Sequence, residues 1–405
     1  VALVPAARAA LSKLDSELLV EAGAGASAGF SDETYQSAGA TIVGDRDQVF
    51  READVICQVR AGGANREQGA ADIRRLRPGQ VLVAQCEPLA EAAAMVPLAA
   101  SQAAIFALEL LPRITRAQSM DVLSSMATIA GYKAVLLAAD HLPQMFPMLM
   151  TAAGTLSPAR VFIVGAGVAG LQAISTARRL GAVVSAYDVR PAVKEQVQSL
   201  GARFVEMPLD SAEGQGGYAR RMDEAFYQKQ RELMLSVVRE SDVVITTAAI
   251  PGQKAPILIT QSMVEAMPAG AVVVDLAAER GGNCELTRPG ETVTFQGVTI
   301  LGPLNLASEI PRHASQMYSN NVLAFLKLLI KQGRLVIDLT DECLAGTLVA
   351  KGGEIVHTLI REGAGVAAAV APPSPAQSGP EPAAAESDSA SGDEMPADTF
   401  RLSDN

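Results

Sequence analysis

The 405-residue chain has no tryptophan, only three histidines and four cysteines, and aromatic residues make up 4% of it. The cysteines (Cys57, Cys86, Cys284, Cys343) are dispersed, with no C-x-x-C pair and no histidine at ligand spacing. This excludes a disulfide framework and a zinc site; no metal is expected, and the thiols read as small buried hydrophobes in a reducing compartment. Positive charge is not in excess either. The formal net charge of −11 argues against nucleic acid or an anionic membrane surface as a partner. No stretch reaches the ~18–20 uninterrupted apolar residues of a membrane span, because Lys133, Asp140 and His141 break the longest candidates. With no signal-type segment, the chain reads as soluble, and any membrane role falls to another polypeptide.

Much of the negative charge is local. Pro372 to Asn405 carries seven acidic residues against one base, Arg401, which leaves −5 on the remainder. Residues 366–405 are rich in Pro, Ala, Ser and Glu, a composition that buries too little apolar surface to offset chain entropy, so a disordered tail is expected there.

The remaining length exceeds the roughly 250–300 residues at which one core stops growing. Val/Ile/Leu/Ala runs with interspersed glycine suit buried parallel strands between helices. The expected fold is α/β, with two Rossmann-like doubly wound domains separated by a cleft. Residues 1–121, completed by 315–365, form the first domain; 122–314 form the second. In the first, Leu11–Ala22 reads as helix. Ala40–Gly44, Ala53–Val59, Gln80–Ala84 and Ala103–Leu108 read as strands, and Val1–Pro5 as the end of another. In the second, a helix from about Val122 to Ala139 precedes strands near 160–164, 183–187, 202–205, 242–246 and 271–275. Gly281–Gly302 reads as an excursion with one or two short strands. Ser315–Lys331 reads as a long helix, apolar on most sides of its C-terminal half and so buried between domains or subunits.

The motif that carries chemistry is Val161-Phe-Ile-Val-Gly165-Ala-Gly167-Val168-Ala-Gly170. An apolar β-run feeds G-x-G-x-x-G, a helical segment follows, and Asp188 closes a second β-run 18 residues after Gly170. In that context the motif is the dinucleotide fingerprint. Gly165 permits the tight turn, Gly167 lets the backbone approach a pyrophosphate, and Gly170 lets helix and strand pack closely. The helix N-terminus offers N–H groups to the phosphates. Asp188 would accept hydrogen bonds from ribose hydroxyls and repel a 2′-phosphate, favouring NAD(H), although Arg190 nearby could accommodate that phosphate.

A dehydrogenase acting on an alcohol or amine needs a positioned general base. None of His141, His313 and His357 falls at the carboxyl end of an expected strand, where such sheets place ligands. Hydride transfer between two nicotinamides moves no proton and requires only near-attack positioning with water excluded.

Several blocks resemble the NAD(H)-binding component of proton-translocating nicotinamide nucleotide transhydrogenase, within the alanine dehydrogenase/transhydrogenase family. They are Pro112-Arg-Ile-Thr-Arg-Ala-Gln-Ser-Met-Asp-Val-Leu-Ser-Ser125, Ala130-Gly-Tyr-Lys-Ala134, Met150-Thr-Ala-Ala-Gly-Thr155, Gly216-Gly-Tyr-Ala219, Ile245-Thr-Thr-Ala248 and Asp275-Leu-Ala-Ala-Glu-Arg-Gly-Gly-Asn-Cys284. The similarity spans roughly residues 1–365. It implies that Arg113 and Asp121 orient NAD(H), that Ser124 supports the same pocket, and that Gln118 contacts the ribose of NADP(H) held by a partner subunit. The alternative for Ser119 and Asp121 is a helix cap. Gly217 and Tyr218 match a mobile lid. Val168, Val189 and Asn305 complete the expected nucleotide contacts. The resemblance further implies a homodimer with NADP(H)-binding and membrane-spanning partner subunits, peripheral on the cytoplasmic side of the inner or plasma membrane.

The chain departs from the family pattern in places. The family's opening strand would precede Val1, and its Gly-His-Thr-Asn-Val-Pro-Ser stretch stands as Gly302-Pro-Leu-Asn305-Leu-Ala-Ser308. The first rival is an amino-acid dehydrogenase similar to alanine dehydrogenase; there the substrate lysine and catalytic histidine match Gln58 and Gln85, which can neither supply a cation nor shuttle a proton. The second is an NAD(H)-binding protein without catalysis.

Overall fold

A computed structural model describes residues 1–206, 222–249 and 252–366. The chain forms a short parallel pair, β1 (Leu19–Glu21) and β2 (Thr41–Val43), then β3 (Val55–Arg60), β4 (Val81–Gln85) and β5 (Ala104–Ala107). The helix Val122–His141 leads to a hairpin, β6 (Leu149–Thr151) and β7 (Gly154–Leu156). Seven strands follow: β8 (Arg160–Val164), β9 (Val183–Tyr187), β10 (Arg203–Phe204), β11 (Val243–Thr246), β12 (Val272–Asp275), β13 (Thr292–Phe295) and β14 (Val298–Leu301). After the helix Pro311–Leu329 come a small hairpin, β15 (Ile330–Lys331) with β16 (Arg334–Leu335), and a second antiparallel pair, β17 (Leu348–Lys351) with β18 (Glu354–Ile355).

These strands make two doubly wound α/β domains. The first has the order β18-β17-β5-β4-β3, with β3, β4 and β5 parallel and β17 antiparallel to β5. The second has the order β10-β9-β8-β11-β12-β14-β13, parallel except for the edge strand β13. Four consecutive residues are buried in each of β8, β11 and β12, because helices cover both faces of a parallel sheet and alternation is lost. The order reverses between β8 and β11, the topological switch point beside which such sheets hold ligands.

The helix Val122–His141 ties the domains together. It packs against the fingerprint helix Val168–Arg179 and the helix Pro311–Leu329. Its crossing with the fingerprint helix is tight: a Cβ on Gly131 would lie 2.1 Å from the Ala169 carbonyl oxygen. By length and mean hydropathy (1.5) it has the composition of a membrane-spanning helix, Lys133, Asp140 and His141 notwithstanding. Its buried Ala134, Val135 and Ala138 belong to the core of the second domain, while Val122 at its start is buried in the core of the first.

Four expectations are corrected. Leu11–Ala22 is not one helix: a short helix ends at Ser12, Asp15 takes a left-handed φ of 52°, and the chain resumes as β1. Leu11, Leu14 and Leu18 share a helical spacing, but the left-handed turn at Asp15 divides them. Val1–Pro5 is not strand. It lies against the Pro311–Leu329 helix, where the Val4 N–H donates to Ser319 Oγ (3.1 Å). Gly281–Gly302 does hold the short strands expected of it, β13 and β14, but it is not an excursion, since β14 pairs parallel with β12 and β13 closes that edge of the sheet. Finally, the long helix starts at Pro311, with the proline in its first turn, and Tyr318, Val322, Phe325 and Leu329 are buried in the first domain's core. Phe325 meets Phe106 edge to face, with centroids 5.5 Å apart. The expected disordered tail, 366–405, lies almost wholly outside the described residues.

Candidate functional site

At the carboxyl end of β8 the backbone turns at Gly165 with φ +99°, its N–H donating to the Tyr187 carbonyl (2.8 Å). A side chain there would meet Thr247 Oγ1 at 2.5 Å, and one on Gly170 would meet the Gly165 carbonyl oxygen at 1.9 Å. Both positions therefore require glycine on steric grounds. Gly167 differs: a Cβ on it would find only Arg190 Nη2, at 3.9 Å, so this backbone faces open space. The helix beginning at Val168 has no side-chain cap, leaving its first N–H groups for an anion. Val168 is itself exposed beside them.

Gly165, Gly167 and Val168 line a cavity of about 280 Å³, together with Asp188, Val189, Arg190, Arg113 and Ser124. Gly170 lies behind it, in the helix. Asp188 is buried, and its carboxylate is heavily engaged. Oδ2 accepts from the Ala166 N–H (2.7 Å) and Arg190 Nη2 (2.7 Å); Oδ1 accepts from the Arg190 N–H (2.9 Å) and Nε (2.8 Å). The acid expected to meet a ribose is thus presented as an ion pair with the arginine two residues on.

The opposite corner is built on the cap of the long connecting helix. Asp121 Oδ1 accepts from the Ser124 N–H (2.9 Å) and Oδ2 from Ser124 Oγ (2.6 Å), while Arg113 Nη1 stands 3.7 Å from Oδ2. Capping and site-building are therefore the same contact. Arg113 and Ser124 reach the cavity wall, and Asp121 stands directly behind them. Gln118 lies on the 3₁₀ turn Thr115–Met120, exposed and away from the wall. Asn305 is not brought to this cavity. It adopts a left-handed φ of 49°, donates its N–H to Glu279 Oε1 (2.6 Å), and borders a separate cavity of about 1600 Å³. Gly217 and Tyr218 lie outside the described residues.

The wall also contains Thr247 and Ala248, from the Ile245–Ala248 block, and residues that no motif singled out: Tyr187, Phe226, Gln230, Pro256 and Leu258. Gln230 is the informative one. It is 1% exposed, its Nε2 donates to the Tyr187 hydroxyl (3.1 Å), and its Oε1 has no partner among the described residues. A buried amide with one satisfied end is suited to a ligand's polar edge. Burial pushes the Tyr187 phenol up to about 12, so it stays protonated and able to donate. Among the described residues no histidine lines the cavity, and no group of three or more His, Cys, Asp or Glu could hold a metal.

Two family profiles cover most of the folded chain: "Alanine dehydrogenase/PNT, N-terminal domain" over residues 1–130 and "Alanine dehydrogenase/PNT, C-terminal domain" over 134–358. The chain belongs to this family. It is similar to a Rhodospirillum rubrum protein named as the first part of NAD(P) transhydrogenase subunit alpha, 44% identical over 88% of this chain and 94% of that protein. The same-named protein of Rickettsia prowazekii is 40% identical over 89% and 94%. The alanine dehydrogenase of Mycolicibacterium smegmatis is more distant, 29% identical over 89% and 92%. Among solved structures, a transhydrogenase from Sinorhizobium meliloti superposes with a TM-score of 0.78 at 43% identity, covering 88% of this chain and 95% of that one. An L-alanine dehydrogenase superposes with a TM-score of 0.73 at 24% identity over 89% and 94%, which shows the shared fold alone.

The two glutamines that separate the rival readings stand apart from the fingerprint. Gln58 lies in β3 and donates through Nε2 to Asp72 Oδ2 (2.8 Å); that carboxylate is also held by Arg46 Nε (2.7 Å) and Nη2 (2.6 Å). Gln85 ends β4. Neither lines the 280 Å³ cavity.

Proposed function

We propose that this chain is the NAD(H)-binding subunit of a proton-translocating NAD(P) transhydrogenase of the Si/Re-specific type. It would pass hydride directly between NADH and NADP⁺ bound on a partner subunit. The observation that carries this reading is one cavity in which the fingerprint turn, Asp188 and the Arg113–Asp121–Ser124 cluster converge, with no histidine among the described residues of its wall. The identity with chains named for NAD(P) transhydrogenase subunit alpha supports it. Residues 122–314 would form the nucleotide-binding domain, and residues 1–121 with 315–365 the other.

The residues fit a dinucleotide. The uncapped N–H groups after Gly167 would receive the pyrophosphate, and the open face of Gly167 lets it approach. Asp188 would accept from the adenosine ribose once Arg190 yields part of its grip, with Val189 packing beside it. The free end of the Gln230 amide would meet the adenine edge. Arg113, Asp121 and Ser124 would orient the other end of the ligand through charge-assisted hydrogen bonds. When bound, the nicotinamide supplies a hydride without a proton, so these residues need only position it and exclude water. Gln118, exposed on its turn, would meet the NADP(H) ribose of the partner, while Gly217 and Tyr218 would close over the site. The assembly would be a homodimer, peripheral on the cytoplasmic face of the inner or plasma membrane through membrane-spanning subunits that move the proton.

The test pairs NADH titration with an assay for alanine oxidation by this chain alone. Tight NADH binding without alanine turnover is expected. Turnover would instead establish the amino-acid dehydrogenase, and absence of NADH binding would overturn both.

A further inference from the structure

The loop after β11 supplies Ala248 and Ala249 from one foot and Pro256 and Leu258 from the other to the wall of the 280 Å³ cavity. Its two feet are held together by a side chain that does not line the cavity. Asn283 is fully buried; its Oδ1 accepts from the Ala248 N–H (3.0 Å), and its Nδ2 donates to the carbonyls of Ala248 (2.9 Å) and Pro256 (2.9 Å). The Asn283 carbonyl also accepts from the N–H groups of Leu258 (2.8 Å) and Ile259 (2.9 Å). Only a carboxamide can accept from an N–H while donating to two carbonyls from one terminal group of this size.

Asn283 is itself fixed by Asp275, the last residue of β12. The Asp275 carboxylate accepts from the N–H groups of Asn283 (2.7 Å), Cys284 (2.9 Å) and Ala277 (3.0 Å) and from the hydroxyls of Thr246 (2.9 Å) and Thr287 (2.7 Å). Thr246 ends β11, so this carboxylate anchors the origin of the loop as well. The next residue, Thr247, donates through Oγ1 to the Gly165 carbonyl (3.0 Å), bracing the loop against the fingerprint turn. Every member of this chain of contacts is backbone or a short side chain, which leaves little slack.

We propose that Asn283 is a positioning residue for dinucleotide binding: its amide sets the separation of the two feet of the 248–256 loop and so the shape of the wall that receives the adenosine half of the ligand. The inference rests on the NAD(H) reading above. The experiment uses the full chain and titrates NADH by its own fluorescence against wild type, Asn283→Ser, Asn283→Asp and Phe325→Leu, with binding stoichiometry and Tm recorded for each. Phe325 belongs to the buried core of the first domain and takes no part in the clamp or the cavity wall, so Phe325→Leu is the control for lost stability alone.

Both Asn283 variants should bind NADH about tenfold or more weakly at unchanged stoichiometry, Asn283→Asp the more so because it turns a charge on two carbonyls. Phe325→Leu should lower Tm and leave NADH affinity unchanged. A merely structural role would instead reduce the fraction of protein that binds, at an unchanged Kd. Wild-type affinity in Asn283→Ser would overturn the inference, as would affinity losses that track Tm equally in all three variants. If neither Asn283 variant folds, hydrogen exchange on the wild type decides. A protected Ala248 amide without NADH is expected, and free exchange there contradicts the clamp. Failure of the wild type to bind NADH would remove the NAD(H) reading itself, a result distinct from the others.

Discussion

Glu109 offers a sharp test because its environment works against its charge. It sits on the 3₁₀ turn after β5, where Oε1 accepts from the N–H groups of Cys86 (2.7 Å) and Glu87. Its Oε2 is buried without a partner among the described residues. Burial pushes the carboxyl up to about 7 from an ordinary 4.5, assisted by the neighbouring Glu87 charge and only partly opposed by the backbone N–H groups of Glu109 itself, Glu87 and Cys86. An acid whose folded pKa is raised keeps its proton in the folded state over a range where the unfolded chain has lost it. Stability is therefore greatest below about pH 4.5 and declines as pH rises towards 7, by roughly 3 kcal/mol for this group. Glu109→Gln removes that dependence. It adds a pH-independent offset of about 1–3 kcal/mol from a buried NH₂ without an acceptor. The quantity to measure is the difference in unfolding free energy between variant and wild type at pH 5 and pH 8, by urea titration followed by circular dichroism, since the chain has no tryptophan. The difference should move in the variant's favour by about 2–3 kcal/mol from the lower pH to the higher. A difference flat in pH would refute the reasoning.

Three further substitutions probe the site and its scaffold. Asp188→Ala removes the acceptor for four donors, including the Ala166 N–H of the fingerprint turn, and should weaken NADH binding by about 10- to 100-fold; an unchanged Kd contradicts the ribose role. Asp121→Asn keeps a good helix cap but removes the charge 3.7 Å from Arg113. It should cut the hydride-transfer rate on the order of 100-fold with only a modest loss of NADH affinity, and an unaltered rate would take Asp121 out of the mechanism. Gly131→Ala drives a methyl to 2.1 Å from a backbone oxygen that cannot rotate away; it should cost about 1–3 kcal/mol, read as a lowered Tm, and an unchanged Tm would mean the crossing is looser than described.

The fingerprint was legible because its glycines answer local backbone demands: Gly165 needs positive φ, and Gly170 needs contact with a carbonyl five residues earlier. The buried strands were legible for the same reason, since runs such as Val272–Asp275 leave no other period to choose. The misreadings have local causes too. Leu11, Leu14 and Leu18 share a helical spacing that a single left-handed residue, Asp15, divides. The short alternating run of β13 carries only a weak strand signal, and its pairing to β14 is decided by the rest of the sheet. Gln230 could have been found, because it occupies a buried stripe with Met234 and Val238 where a polar residue stands out. Asn283 and Glu109 could not have been read by local spacing, since their partners lie 22 to 35 residues away and meet them only in the folded chain.

The most direct test of the central claim is hydride exchange from NADH to an NAD⁺ analogue, measured with and without NADP(H) and an NADP(H)-binding partner subunit. Exchange that requires both is the predicted result. Exchange without NADP(H), or none with every component present and NADH bound, would contradict transfer from nucleotide to nucleotide.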